Sequence, residues 1–185
     1  MTSLIVLGII AAIALYAISI YNRLVKNRQM VEEGWSGIDV QLKRRSNLIP
    51  NLVNAVKGYM KHERELLETV TELRARAVSA ENSDPETRAK AEGALSGGLM
   101  KLNAVIENYP DLKANQNVME LQDSLSEIEN EIQMSRRYYN GAVRNMNILV
   151  ESFPSNLIAN FFKFIKAQYF EIEDASERAV PNVEL

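Results

Sequence analysis

The chain has 185 residues, 21 Lys and Arg against 24 Asp and Glu, and no cysteine. The absence of thiols excludes disulfides, thiolate metal sites and thiol catalysis, and suits a reducing compartment. The net charge of −3 hides an asymmetry: residues 22–80 hold 11 basic against 7 acidic side chains (+4), and residues 81–185 hold 10 against 17 (−7).

Leu4 to Ile20 carries no charge and is apolar on every face. At ~1.5 Å per residue it lies near the short end of the ~17–25 residues that span a bilayer, with Tyr16 and Tyr21 towards one end, where amphipathic rings favour the interface. A cleaved secretory signal needs basic residues before the apolar run and small residues at a cleavage site after it. No Lys or Arg precedes Leu4, whereas Arg23, Lys26 and Arg28 follow Ile20 closely. Residues 1–21 are therefore expected to be a single transmembrane anchor with the amino terminus outside and the rest cytoplasmic. Basic residues beside the anchor are attracted to anionic lipid by ~1 kcal/mol each, or else line a solvated helix face.

From Leu24 the apolar positions Val31, Trp35, Ile38, Leu42, Ile49, Leu52, Val56, Tyr59, Leu66, Val70, Leu73 and Ala77 recur at three and four, with Arg28, Arg45 and Glu63 in the same register. That pattern predicts one long helix from the membrane to about Ala80. Pro50 removes a main-chain hydrogen bond and crowds the Ser46 carbonyl; because the phase persists across it, a kink is favoured over a break with Asn47 as a new N-cap.

Asp84-Pro85 predicts a second helix, carrying Leu95, Leu99, Leu102, Ile106 and Tyr109 until Pro110, with Gly97-Gly98 serving close approach or a bend. Val118, Leu121, Leu125, Ile128, Ile132, Tyr139, Met146 and Leu149 predict a third, ended by Phe153-Pro154. Ser155 is expected to cap a fourth helix through Ile172, before a polar tail over residues 174–185. The expected fold is all-α: a transmembrane helix continuing into an antiparallel up-and-down bundle over residues 22–173, four-helix in type, with a stalk at 22–48 and a kink near 50.

Two strings carry a family resemblance. Arg45-Ser46-Asn47-Leu48-Ile49-Pro50-Asn51-Leu52-Val53, followed by Lys57, Tyr59, His62 and Glu63, and Tyr109-Pro110-Asp111-Leu112-Lys113-Ala114-Asn115 resemble signatures of the LemA family. Leu121-Gln122, Arg137, Tyr139-Asn140, Val143, Asn147 and Phe153-Pro154 extend the match over nearly the whole chain. The resemblance implies a single-pass protein of the bacterial inner membrane with a cytoplasmic helical bundle, in a family of poorly defined role with some members associated with magnetosome membranes. It implies no enzyme activity and no catalytic residues.

The residues agree with that implication. A bundle di-iron site needs Glu-x-x-His motifs, and the single histidine, His62, has no glutamate three residues before it. Glu127, Glu129 and Glu131 diverge by ~200° per step around a helix and read as a solvated face. There is no Gly-rich phosphate loop and no nucleophile motif. No enzyme activity, cofactor, metal, nucleic acid or small-molecule substrate is expected. Arg45 and Glu63 either fix register through opposite charges on neighbouring helices or point through the seam to solvent, the latter being favoured. His62 reads as a surface or hydrogen-bonded helix residue.

Two surfaces stand out. If the first helix reaches Ala80, too little returning helix is left to cover Leu24, Val31, Trp35, Ile38 and Leu42, which predicts self-association through the stalk. All five phenylalanines lie between Phe153 and Phe170, and Phe161, Phe162, Phe164, Ile165, Tyr169 and Phe170 exceed what one bundle face buries. On the same arithmetic this aromatic stretch lies far from the bilayer, favouring a partner or a second copy over lipid. The leading expectation is a membrane-anchored scaffold that assembles with itself and recruits an unknown protein partner. A lipid-binding or membrane-remodelling protein and a regulatory subunit of a membrane enzyme are the alternatives.

Overall fold

A computed structural model describes residues 1–171. Six helices and no strand occur among them: α1 (Thr2–Lys57), α2 (Arg64–Ser79), α3 (Pro85–Ile106), α4 (Pro110–Lys113), α5 (Gln116–Glu151) and α6 (Ser155–Phe161). The described residues divide into two compact units, residues 1–38 with 135–169 and residues 39–134 with 170–171. The tail expected at 174–185 lies outside the described residues.

In the first unit the amino-terminal part of α1 runs against the carboxyl-terminal part of α5. The pairing is antiparallel: Glu33 accepts from the Tyr138 hydroxyl at 3.1 Å, while Leu24 packs with Met146. A Cβ on Gly34 would sit 3.0 Å from the Tyr139 Cα, so the two backbones meet there at a distance only glycine allows without displacement. Residues 2–19 are exposed apart from half-buried Ala17, and burial begins at Ile20.

The second unit corrects the length of the first helix. α1 ends at Lys57, not near Ala80, and the chain turns through residues 58–63 before α2. Gly58, weakly helix-forming by ~1 kcal/mol relative to alanine, begins the turn. Tyr59, expected in the seam, is exposed, and Met60 is the buried residue of the turn instead. Reversal lets α2 return Leu67, Val70 and Ala77 to the core containing Ile49, Leu52 and Val56. That apolar burial is unavailable to a straight sixty-residue rod.

Pro50 lies inside α1 without ending it. The Ser46 carbonyl, which a proline four residues later cannot satisfy, accepts instead from Arg74 Nε at 2.7 Å. At α3, the Asp84 side chain accepts from the Thr87 hydroxyl and from the Glu86 and Thr87 amides, and these bonds, the Thr87 hydroxyl's above all, depress its pKa. Gly98 faces α2, where an added Cβ would meet Leu73 Cδ1 at 2.8 Å; Gly97 faces open space.

The fourth helix is also corrected: α6 stops at Phe161 rather than Ile172. Ser155 does not cap it, since its hydroxyl donates to the Ser152 carbonyl. The helix ends in a Schellman arrangement: Lys163 N–H donates to the Asn160 carbonyl and Phe164 N–H to the Ala159 carbonyl, with Lys163 left-handed at φ 58°. The reversal buries Phe164 with Ala159, Ile20 and Leu24. Beyond it, Asn147 holds the chain by both backbone groups of Ala167, accepting from its N–H at 2.8 Å and donating to its carbonyl at 3.0 Å.

Candidate functional site

The two predicted surfaces have different fates. Leu24, Ile38 and Leu42 are buried, Val31 packs against the core around Leu24, and the Trp35 ring lies 5.4 Å from Tyr139. The expectation of an uncovered stalk is therefore corrected: α1 turns earlier than supposed, α5 is long enough to return along residues 20–38, and these side chains are already covered within the chain.

The aromatic stretch splits by burial. Phe164 and Phe170 are buried and Tyr169 is at the margin, whereas Phe161 (79%), Phe162 (51%) and Ile165 (79%) are exposed, together with Phe153 and Leu157. The stretch does not lie a long helix away from the apolar run, as the expected helix lengths required. The Phe162 ring lies 4.7 Å from Tyr21 and the Phe164 ring 5.8 Å, one residue past the apolar run, and Phe161 meets Phe162 edge-on at 5.0 Å. Arg28 sits 5.4 Å from the centre of the buried Phe164 ring. Lys166 is held by Glu151 at 2.7 Å, which raises the ammonium pKa.

In the second unit Arg45 corrects the solvent-pointing reading: it is 1% exposed. Nη2 donates to the Glu92 carboxylate at 2.5 Å, and Nη1 donates to Glu129 and to the Ser96 hydroxyl, each at 2.6 Å. Glu129, placed by sequence on a solvated face, thus belongs to an internal ion network. Arg88 and Asp39 form a second, part-buried pair. Glu63 accepts from the Tyr109 hydroxyl at 3.4 Å, and His62 is exposed in the turn after α1. No glutamate, aspartate or histidine cluster able to hold a metal occurs among the described residues.

An open groove of about 860 Å³ runs between the end of α1 and α2. Val53, Met60, Leu67 and Ala75 line it with the charged side chains of Lys57, Lys61, Arg64, Glu68 and Glu72, of which Arg64 and Glu68 pair along α2 at 2.7 Å. Sequence reasoning missed this feature because it assumed α1 and α2 to be one helix.

One helix among the described residues, α1, is long and apolar enough to cross a membrane, and its apolar window is almost wholly unburied. The sequence pattern of the LemA family matches residues 34–185. The chain belongs to the LemA family. Among its relatives, magnetosome protein MamQ 2 of Paramagnetospirillum magneticum is 24% identical, with 96% of this chain and 75% of the relative aligned. Protein LemA of Metamycoplasma hominis is 24% identical over 89% of this chain and 74% of its own length. Magnetosome protein MamQ of Magnetospirillum gryphiswaldense is 22% identical over 86% and 68%. This LemA-family chain is accordingly a membrane-associated, all-α protein.

Proposed function

We propose that the protein is a non-enzymatic scaffold, anchored by α1 in the bacterial inner membrane with its carboxyl-terminal part cytoplasmic. The observation that carries this reading is the double character of α1. Residues 2–19 expose an apolar surface that only lipid solvates well, and the same unbroken helix supplies Ile20 and Leu24 to the core. A detachable signal has no reason to continue into the fold it precedes. The basic residues after the span support the orientation, and relatives called magnetosome proteins support work at a membrane.

Recruitment would use the groove between α1 and α2, whose apolar floor and mixed-charge rim suit a helical segment of another protein. Because the Leu24 to Leu42 seam is occupied, self-assembly would use an outer face. A photo-crosslinking residue at Thr71 in the groove, compared with Ser126 on α5, tests this in intact membranes. A discrete adduct at Thr71 supports recruitment, whether the captured protein is a second copy or another chain. Monomer alone at both positions removes the scaffold reading. The lipid-binding alternative is favoured by the Tyr21–Phe162 contact.

A further inference from the structure

The geometry points to a second bilayer contact built from Phe161, Phe162 and Ile165, inserted in the leaflet where α1 leaves the membrane. This inference rests on α1 being a membrane span. Residues 2–19 rise ~27 Å at ~1.5 Å per residue, against a hydrocarbon core of ~30 Å. The exposed apolar length is thus used up where burial begins, at Ile20, and the bilayer boundary falls at the level of Tyr21. Phe162 touches Tyr21 and Phe161 touches Phe162, so their exposed rings lie at that boundary.

Three observations select lipid as the occupant. The exposed rings are continuous with the lipid-facing surface of α1 through Tyr21, and no separate patch has to be invoked. Phe153, Leu157, Phe161, Phe162 and Ile165 are all exposed within a short segment, whereas soluble surfaces scatter such residues singly. Arg23, Arg28, Lys163 and Lys166 lie close by in sequence to this aromatic group or to the span end; Glu32 and Glu151 partly neutralise Arg28 and Lys166, leaving Arg23 and Lys163 for anionic headgroups. The Schellman reversal at Lys163 makes this possible: it buries Phe164 as a fixed pin and leaves the Phe161 and Phe162 rings before it and the Ile165 side chain after it outside.

The absence of cysteine permits clean single-site labelling of the full chain. The protein is reconstituted in phosphatidylethanolamine–phosphatidylglycerol vesicles with an environment-sensitive fluorophore at Phe161→Cys, Ile165→Cys, Ala12→Cys in the span or Ser126→Cys on α5. Labels at 161 and 165 are expected to be quenched by shallow spin-labelled lipid and shielded from aqueous iodide, as position 126 is not. With Phe161→Ser and Phe162→Ser together, the label at 165 is expected to lose lipid quenching. Iodide access at 161 and 165 equal to that at 126, while position 12 stays lipid-quenched, overturns the contact and leaves the anchor intact. Shielding only in native membranes assigns the patch to a protein partner and equally overturns it. Loss of lipid quenching at position 12 would instead overturn the anchoring on which the inference rests.

Discussion

The Arg74 guanidinium donates 2.7 Å to the Ser46 carbonyl oxygen, the main-chain acceptor that Pro50 deprives of its helical partner. A proline inside a helix usually costs ~3 kcal/mol, part of it the unsatisfied carbonyl four residues back. Here α2 folds against α1 so that a charged donor fills the vacancy, and the helix continues to Lys57. Arg74→Met should therefore destabilise the protein by ~1–3 kcal/mol, and by clearly less in a Pro50→Ala background, where the carbonyl regains its amide donor. A double-mutant cycle read by chemical denaturation in mild detergent checks this; additive effects would show that Arg74 acts elsewhere.

Arg45 makes a stronger demand on the fold. Its charge is held between buried Glu92 and half-exposed Glu129, with the Ser96 hydroxyl completing one nitrogen. Arg45→Met leaves Glu92 as an uncompensated buried carboxylate and is expected to cost ~3–5 kcal/mol. Arg45→Met with Glu92→Leu removes both buried charges and should recover most of that loss, because Glu129 can turn to water. Thermal unfolding followed by circular dichroism distinguishes this from simple additivity.

Part of this architecture is legible in the sequence. Three-and-four spacing revealed the helices of this all-α chain, and Asp84-Pro85 and Phe153-Pro154 marked two of their boundaries, because periodicity and capping are local properties. The turn at Gly58 was hidden, since the heptad phase happens to resume in α2 with Leu66 and Val70. The end of α6 was hidden because a left-handed lysine, unlike a glycine, leaves no compositional signal. Those two reversals set which surfaces are covered, and the site readings that depended on helix length failed with them: the stalk seam is buried and the aromatic stretch returns to Tyr21. Arg45 could be placed on the seam but not paired, as Glu92 and Glu129 come from two other helices.

The left-handed conformation of Lys163 carries a cost of ~1–2 kcal/mol for a residue with a Cβ. Its N–H bond to the Asn160 carbonyl, the Phe164 N–H bond to the Ala159 carbonyl and the burial of Phe164 offset that cost. Lys163→Gly should raise stability by ~1 kcal/mol or less, the gain reduced by the greater freedom of glycine in the unfolded chain. Hydrogen exchange at the Phe164 amide should slow in the variant; faster exchange would mean that the lysine side chain itself holds the turn.

Tyr139 supplies a pH dependence of known sign. Its ring is buried beside Trp35, and its hydroxyl donates 2.8 Å to the Gln168 carbonyl, tying the segment after α6 to α5. Burial disfavours the phenolate and pushes the pKa up from 10.0 to about 12. The unfolded chain thus ionises first: the stabilisation is complete below pH 10.0 and is lost as pH rises through about 12. A phenolate, moreover, has no proton to donate to Gln168. Tyr139→Phe should lower neutral-pH stability by ~0.5–1.5 kcal/mol and flatten the decline across that alkaline window relative to the parent. Parallel denaturation curves through the window check this, and identical slopes for parent and variant would assign the alkaline loss to another group.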